Sequence, residues 1–347
     1  MHGIIDRSLP ELEALVADLG EPRFRTKQLV EWLWKRGAAS YDDMTNLSKA
    51  FRDKLAEVAP LERARIAEQQ VSGDGTIKFL IEYVDGVLVE AVGLPSADGR
   101  LTVCMSTQAG CAMGCTFCAT GQLGLTRNLT CGEMAEQVRL VGDTFGRRVT
   151  NVVAMGQGEP FANYDQTLAA LRILNSPDAF GIGARHITVS TAGLLDGIRR
   201  FGTEPEQFTL AVSLHSAIQE TRDRIMPGMR GQTLDGLRAA MLDYAASSGR
   251  RPSLEYALVA GASDTSGEVG ALRRFARSVG AHVNLIPINA IPGSDAQPTD
   301  RFRARDIVEE LEAAGIATSL RAERGADIAA ACGQLALSRL ERDSAES

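Results

Sequence analysis

The chain has 347 residues, of which 44% are hydrophobic and 23% charged, and its formal net charge is −7. This composition excludes a mainly disordered chain, and no apolar run approaches the roughly 20 residues of a membrane span. Acidic residues near the start replace the apolar segment of an export signal, so we expect a cytoplasmic protein. The acidic balance argues against attraction of nucleic acid over the whole surface and leaves a local basic face possible.

Helical spacing dominates residues 1–73. Apolar residues recur three or four positions apart in segments 9–16 and 29–34, as on the buried side of an amphipathic helix. We therefore predict a small N-terminal helical domain over residues 1–73. Its second helix carries a positive stripe, which is either a solvated face or a contact surface for phosphate backbones. The stripe consists of Arg23, Arg25, Lys27, Lys35 and Arg36.

From residue 74 the pattern changes to strands. Asp85-Gly86 separates two β-rich runs, 79–83 and 87–92, and predicts a hairpin. Repeated strand–helix units then predict a parallel sheet that is buried on both faces. Six main strands are too few for a closed eight-stranded barrel, so we predict a partial (β/α)6 barrel of TIM type, with an open doubly wound sheet as the alternative. The predicted strands are 101–106, 149–155, 186–190, 208–214, 253–259 and 282–288, with a further one at 317–321; the predicted helices are 132–145, 166–175, 194–201, 234–247, 268–279 and 302–314.

Five of the six cysteines lie close together in the sequence, whereas Cys332 stands alone near the C-terminus. Cys111, Cys115 and Cys118 form a CxxxCxxC motif in the loop after a predicted strand. Three thiolates at this spacing suit a 4Fe-4S cluster with one iron left open for another ligand. A zinc site and a set of reduced thiols without metal are the alternatives, and no second pair of ligands lies nearby for zinc.

The CxxxCxxC motif, with Phe117 before its last cysteine, resembles the signature of radical S-adenosylmethionine (SAM) enzymes. The segment 156–160, Gly-Gln-Gly-Glu-Pro, resembles the Gly-Glu-Pro motif of that superfamily. The segment 324–335, RGADIAAACGQL, is similar to the C-terminal signature of the RlmN/Cfr RNA methyltransferases. The resemblance implies one 4Fe-4S cluster held by the three motif cysteines, with SAM on the open iron. Two SAM molecules would be used in each turnover, and a flavodoxin or ferredoxin would donate electrons.

The same resemblance assigns roles to two further cysteines. Cys332, in a tail over residues 326–347, would accept a methyl group from one SAM and carry it as S-methylcysteine to an adenine ring carbon. Cys104 would then attack Cys332, release the methylated RNA from a covalent protein–RNA adduct and leave a transient Cys104–Cys332 disulfide. Taken alone, Cys104 is a buried strand thiol. Cys131 matches no family role, and we interpret it as a helix N-terminal or packing thiol.

A general base and the SAM-binding residues complete the predicted site. The segment 89–92, Val-Glu-Ala-Val, resembles the family segment that carries the proton acceptor, so Glu90 is the candidate base and Glu82 the fallback. Strand-end residues would hold SAM, although serine, asparagine and a single histidine are common structural residues at strand ends. The implied SAM residues are Gly158, Glu159, Ser190, Ser213, Leu214, His215 and Asn289.

The family implies an RNA substrate. The favoured product is an adenine methylated at C2 in 23S rRNA, and also in tRNA next to the anticodon. Methylation at C8 by the same cysteines is the first alternative, and a non-catalytic iron–sulfur RNA-binding protein is the second. We expect a monomer with no membrane partner. Arg147–Arg148, Arg222–Arg224–Arg230 and Arg250–Arg251 extend the RNA footprint only if they share one face of the molecule.

Overall fold

The N-terminal region is helical, as predicted. The computed structural model describes residues 3–291, 293–322 and 324–335. Ser8 and Ser48 occupy the N-cap positions of the first and third helices, which is where side-chain oxygens satisfy free amide groups. The helices are α1 (Leu9–Asp18), α2 (Phe24–Val30), which continues as a π-helical turn (Glu31–Lys35), and α3 (Lys49–Val58), with a 3₁₀ turn at Tyr41–Asp43.

The helical prediction for residues 1–73 is wrong at its C-terminal end. Residues Arg65–Val71 form strand β1, which pairs antiparallel with the predicted hairpin. Its side chains are all exposed or half-buried, so the segment lacks the apolar contrast that periodicity analysis uses. The pairing with a neighbouring strand, rather than its own pattern, makes this segment a strand.

The rest of the described chain is one ten-stranded sheet wrapped by helices. Four antiparallel strands lead into a parallel series, in the order β1-β2-β3-β4-β7-β8-β9-β10-β11-β12, and a separate pair, β5–β6, flanks the cysteine motif. The predicted hairpin is present, with Gly86 at φ +80° in its turn. The remaining strands are β2 (Ile77–Glu82), β3 (Leu88–Pro95), β4 (Leu101–Cys104), β5 (Gln108–Gly110), β6 (Leu125–Asn128), β7 (Asn151–Ala154), β8 (Ile187–Thr191), β9 (Thr209–Ser213), β10 (Ser253–Leu258), β11 (His282–Pro287) and β12 (Thr318–Leu320).

Helices follow the parallel strands one by one, which confirms the partial barrel. Strands β7, β8, β9 and β10 are buried at alternate or successive positions, as expected for a sheet covered by helices. Among the described residues, no helix combines the length and apolar character needed to cross a bilayer. The helices are α4 (Ala119–Leu123), α5 (Cys131–Phe145), α6 (Tyr164–Asn175), α7 (Leu195–Thr203), α8 (Gln219–Ile225), α9 (Leu234–Ser248), α10 (Ser266–Val279) and α11 (Arg301–Ala313), with 3₁₀ turns at Pro160–Asn163, Ala184–His186, Pro227–Met229 and Ala326–Ile328.

This topology places the candidate site at the side of the sheet where the parallel strands end. Every parallel strand ends at the same side of the sheet, where barrels and open α/β sheets place their ligands. The described part of the C-terminal tail returns to that side and packs its apolar residues against Val92 and Cys104. The cysteine loop and the tail therefore meet, although more than 200 residues separate them in the chain.

Candidate active site

Tight backbone contacts shape the cysteine loop. It lies between β5 and α4, and the amide of Cys111 donates to the carbonyl of Gly124 at 2.8 Å. Gly110 has φ +78°, and a Cβ added there would lie 2.0 Å from the oxygen of Gly124, so only glycine fits this position. The loop is held against the barrel by the amide of Thr116, which donates to the carbonyl of Ile225 at 3.0 Å.

The three motif thiols share one wall of a single pocket. Cys111, Cys115 and Cys118 all line it. Burial raises the pKa of Cys111 to about 11 and raises the pKa values of the other two, and the charge of Cys118 raises the pKa of Cys111 and of Cys115 further. Three thiolates gathered in a buried place need a compensating positive charge. The donor set therefore fits an iron–sulfur cluster, whose iron supplies that charge to thiolate ligands.

The zinc alternative gains no support from this arrangement. In the part of the chain that the structure describes, no three His, Cys, Asp or Glu side chains gather around a point where one metal ion could bind. A single zinc ion requires sulfurs about 2.3 Å from one common centre. The motif cysteines line a common wall without converging on such a centre.

The pocket continues from the cysteines across the strand ends. Its empty space is about 890 Å³, a volume that includes the open mouth. Ser190 and Ser213 line it at neighbouring strand ends, with their Oγ atoms 3.3 Å apart. Gly158 and Glu159 line the side nearest the cysteines. These four predicted residues thus face the space where SAM would lie beside the cluster.

The Gly-Glu-Pro segment is folded more tightly than a simple ligand loop. Gly158 has φ +99°, and an added Cβ would lie 2.5 Å from Cβ of Gln108. The carboxylate of Glu159 accepts hydrogen bonds from the Thr191 hydroxyl at 2.7 Å and from the amides of Ala192 and Phe161. Burial raises the pKa of Glu159, and these donors oppose the shift. The Glu159 carboxylate fixes the loop after β8, and the backbone near Gly158 faces the pocket.

His215 is a neutral part of the pocket wall. It has the unusual φ of +54°, and its Nδ1 accepts a hydrogen bond from the amide of Ala257 at 2.9 Å. Burial and the nearby Arg222 lower its pKa to about 3. The ring packs edge-on against Phe117, 4.8 Å between centroids. It therefore links the cysteine loop to β10 in the uncharged form.

Two predicted SAM residues occupy different positions. The side chain of Leu214 is fully buried in the main core, so this residue offers a ligand only its backbone. Asn289 lines a smaller adjoining pocket, which shares Ile286, Arg321 and Cys332 with the first. Seen from the strand ends, Asn289 lies on the tail side of the site.

The tail sulfur meets the cysteine site through Arg321. Nη1 of Arg321 lies 3.5 Å from Sγ of Cys332 and 3.8 Å from Sδ of Met155. Burial and the charge of Cys332 raise the pKa of Cys104 to about 12, while Arg321 lowers it. The charge of Cys332 also raises the pKa of Cys118. The structure thus brings Cys104 and Cys332 together near one guanidinium group, in the pocket that the motif cysteines line.

Hydrogen bonds anchor the tail on both sides of Cys332. Upstream, Asp327 accepts from the Ser72 hydroxyl at 2.6 Å and the Gly73 amide at 3.1 Å, and Arg324 donates to Asp74 at 2.8 Å. Downstream, the carbonyls of Gly333 and Leu335 accept from α4, at 2.7 Å and 2.6 Å. Predicted tail residues 336–347 lie outside the described residues. The Arg-Gly-x-Asp part of the signature therefore joins the tail to the β1–β2 turn. We call the contacts made by residues 72–74, 324 and 327 the tail clasp.

The candidate base lies beneath the tail. Glu90 is fully buried, and its Oε1 is 3.4 Å from Nζ of Lys78. The Ser106 hydroxyl donates to the backbone carbonyl of Glu90 at 2.6 Å and fixes the strand there. The fallback, Glu82, instead pairs with Arg65 at the end of β2, 2.6 Å apart. Both candidates lie on the sheet face of Cys104, and Glu90 is the nearer in register, two residues from Val92, the partner of Cys104.

Sequence reasoning missed Arg321 and Lys78. Arg321 follows the short strand β12, and Lys78 lies inside the apolar run of β2, where a charged residue is rarely fully buried without a partner. The charge of Lys78 within that apolar run was the sequence signal that could have identified it.

Cys131 is confirmed as a helix N-terminal packing thiol, since it begins α5 and its Sγ contacts the carbonyl of Asp6 at 3.4 Å.

Comparison with known proteins shows the family. Residues 3–61 match the model of the ribosomal RNA large subunit methyltransferase N-terminal domain, and residues 105–241 match the radical SAM superfamily. A protein from Gloeobacter violaceus named probable dual-specificity RNA methyltransferase RlmN is 44% identical, over 96% of this chain and 94% of its own length. A relative with the same name from Moorella thermoacetica is 43% identical, over 94% of each chain. The chain belongs to the RlmN family.

A solved structure agrees with this assignment. The crystal structure of a radical SAM methyltransferase from Sphaerobacter thermophilus is 42% identical, with a TM-score of 0.90, over 96% of this chain and 99% of that one. Membership of the RlmN family makes the chain a radical SAM methyltransferase and removes the non-catalytic alternative. It also agrees with the thiol set, since radical SAM enzymes hold an iron–sulfur cluster at this motif.

Proposed function

We propose that the chain methylates C2 of a specific adenine in 23S rRNA and of an adenine next to the anticodon in tRNA. The relatives' names, which describe dual-specificity RNA methyltransferases, support RNA as the substrate and more than one target. The observation that carries the proposal is the meeting of Cys332, Cys104 and Arg321 beside the cysteine motif. A polar methyltransferase would not need a tail sulfur at this place.

Each proposed residue has a task that its position allows. A 4Fe-4S cluster held by Cys111, Cys115 and Cys118 would supply, with SAM, the radical chemistry that an electron-poor ring carbon requires. Cys332 accepts a methyl group on sulfur, next to the guanidinium of Arg321, and carries it to the adenine. This is covalent catalysis, which divides one difficult transfer into easier steps.

Two residues would complete the transfer. Glu90 takes the C2 proton from the covalent adduct, and the electron pair of the broken C–H bond stays in the ring. The adduct, formed by a radical, carries one surplus electron, which the cluster would take back. Sγ of Cys104 then attacks Sγ of Cys332, so that an S–S bond forms and the bond from Cys332 to the methylated carbon breaks with its electron pair, which takes up a proton. A cellular thiol reduces the Cys104–Cys332 disulfide for the next cycle.

Further parts of the proposal concern partners and organisation. We propose the division into residues 1–73, 74–325 and 326–347, with the helical part as an RNA contact. A flavodoxin or ferredoxin donates electrons, two SAM molecules are used per turnover, and the protein is a cytoplasmic monomer.

The basic stripe is largely neutralised within the protein, because Arg23, Arg25, Lys27 and Arg36 all pair with carboxylates. A phosphate backbone would have to compete for these groups.

Mass spectrometry of the product tests the proposal. RNA treated with the reconstituted enzyme and methyl-labelled SAM is digested to nucleosides, and the position of the label on adenosine is read. We expect 2-methyladenosine in rRNA and in tRNA. A label at C8 would support the alternative product, because the same cysteines serve both reactions, and a label only on another atom would refute the covalent mechanism.

A further inference from the structure

Lys78 is a buried charge that the proposed mechanism does not use. Its side chain is 4% exposed and that of Glu90 is 0% exposed. Taking two charges out of water costs free energy that their attraction need not recover, so a buried ion pair is weak evidence of stabilisation. An apolar residue would suit the core beneath the tail at least as well. The placement of Lys78 therefore calls for an explanation other than stability.

The sheet register places Lys78 on the same face as the reacting groups. Lys78 is paired with Val92 across β2 and β3, and Val92 is paired with Cys104 across β3 and β4. Directly paired residues in antiparallel strands point to the same side, and Glu90 is two residues from Val92. Lys78, Glu90 and Cys104 thus share the face that the tail covers.

Lys78 also contacts the tail itself. Its Nζ lies 3.4 Å from Oε1 of Glu90 and donates to the carbonyl of Ala329 at 3.4 Å. Ala329 is three residues before Cys332 and has φ +48°, so its carbonyl direction is set by an unusual backbone conformation. One ammonium group therefore joins the candidate base to the segment that carries the methyl-accepting sulfur.

We propose that Lys78 is a positioning residue for Glu90, which it aims at the adduct when the tail is docked. The inference rests on the proposed function, because it takes Glu90 as the base. A proton acceptor must lie within hydrogen-bond reach of its proton in the correct orientation. Lys78 supplies that orientation from one side, while the Ser106 hydroxyl fixes the Glu90 backbone from the other.

The tail does not depend on Lys78 to stay docked. The tail clasp and the two bonds from α4 hold the segment on either side of Cys332. Removal of the ammonium takes away one of several contacts that hold the tail, and it also takes away a positive charge that lies 3.4 Å from the Glu90 carboxylate. The positioning role and a purely structural role therefore make different predictions.

The experiment follows the decay of the protein–RNA adduct in Lys78→Met, Lys78→Arg and Glu90→Gln, using RNA with hydrogen or deuterium at adenine C2. We expect decay in Lys78→Met to be about 10–100-fold slower than in the unmodified protein, the size of loss that a misplaced catalytic group causes. Deuterium should slow it further, since proton removal becomes rate-limiting. Lys78→Arg should restore most of the rate.

A second measurement needs neither cluster nor SAM. The rate of oxidant-driven formation of the Cys104–Cys332 disulfide in cluster-free protein reports tail docking, and Lys78→Met should leave it within about twofold of the unmodified rate. Asp327→Asn is the matched control: it loosens the tail without contacting Glu90, so it should slow disulfide formation and show no isotope effect on adduct decay. If Lys78→Met behaves like Asp327→Asn, Lys78 only holds the tail and the proposal is overturned.

The remaining outcomes separate this inference from the proposed function. Normal decay in Glu90→Gln refutes the base assignment, and the role of Lys78 falls with it. Slow decay in Glu90→Gln with normal decay in Lys78→Met refutes the role of Lys78 alone. If Lys78→Met does not fold, the double variant Lys78→Met/Glu90→Gln is measured in its place, because it removes both buried charges and leaves neither unpaired. Decay no slower than in Glu90→Gln supports action through Glu90, and further slowing contradicts it.

Discussion

At the scale of single residues, two cysteines outside the cluster motif lie at the site. Cys104 ends β4 under the tail, and Cys332 lies 3.5 Å from the guanidinium of Arg321. A disulfide requires Cα atoms within about 7 Å, and Cys332 lies close enough to Cys104 to raise its pKa. Their different positions in the proposed sequence of steps lead to different mutant phenotypes.

We expect Cys332→Ala to abolish RNA methylation while the iron and sulfide content of the protein stays unchanged. Cys104→Ala should still form the bond to RNA and then fail to release it. Gel electrophoresis would show a slow band that disappears after RNase treatment. Methylation at the unmodified rate in both variants would contradict covalent catalysis in this chain.

His215 predicts a pH dependence of stability. Its pKa is lowered to about 3 in the folded protein, against about 6.5 in an unfolded chain. The unfolded state therefore binds a proton first as the pH falls, and stability is lost below pH 6.5. At pH 5 the loss is about 2 kcal/mol relative to pH 7. Urea unfolding of cluster-free protein at both pH values should show this loss reduced in His215→Asn, a residue that tolerates positive φ.

At the scale of elements, the β1–β2 turn and the tail act as one unit. Gly73 and Gly325 both place backbone amides on carboxylates of the opposite segment. These contacts join residues more than 240 positions apart in the chain. The antiparallel extension β1–β3 therefore serves the site, since it carries both the clasp and Glu90.

The clasp can be tested without the cluster. Asp74→Asn and Asp327→Asn each remove charge from hydrogen bonds that hold the tail. We expect each to slow oxidant-driven Cys104–Cys332 disulfide formation several-fold, and the double variant to slow it more, because the tail spends less time docked. Circular dichroism serves as the control for folding. An unchanged disulfide rate in the double variant would show that the clasp does not position the tail.

At the scale of the whole molecule, the basic clusters do not share one face. Arg224 and Arg230 lie in the segment after β9, which contacts the cysteine loop through Gly228. Arg250–Arg251 come just before β10, and Arg147–Arg148 just before β7, at the opposite edge of a parallel sheet. Arg222 is buried and donates to the carbonyl of Ala192.

An RNA whose adenine enters the pocket should therefore contact only the arginines on the same side of the sheet as the pocket. We expect Arg224→Ala/Arg230→Ala to reduce the slope of log K against log salt by roughly 0.7–0.9 for each lost phosphate contact. Arg250→Ala/Arg251→Ala, the matched pair at the far edge, should leave the slope unchanged. Filter binding at several salt concentrations measures both, and equal effects from the two pairs would contradict this footprint.

The sequence determined the order of most elements and the residue types of the proposed site. Repeated strand–helix units, the Asp85-Gly86 turn and the CxxxCxxC motif are local patterns, and the forces that produce them act between near neighbours. The hairpin, the parallel strands and the cysteine loop are therefore where the patterns predict them. Strand β1 was missed because pairing with β2, not its own periodicity, defines it.

Only the tertiary structure decided which residues meet. Lys78 contacts Ala329, Asp327 contacts Ser72, and Arg321 contacts Met155, and each pair lies more than 160 positions apart in the chain. No local spacing encodes them, because they depend on how the sheet curves and where the tail returns. The separation of the arginines onto two edges has the same origin: strand direction, set by the whole sheet, decides which end of the barrel each loop reaches.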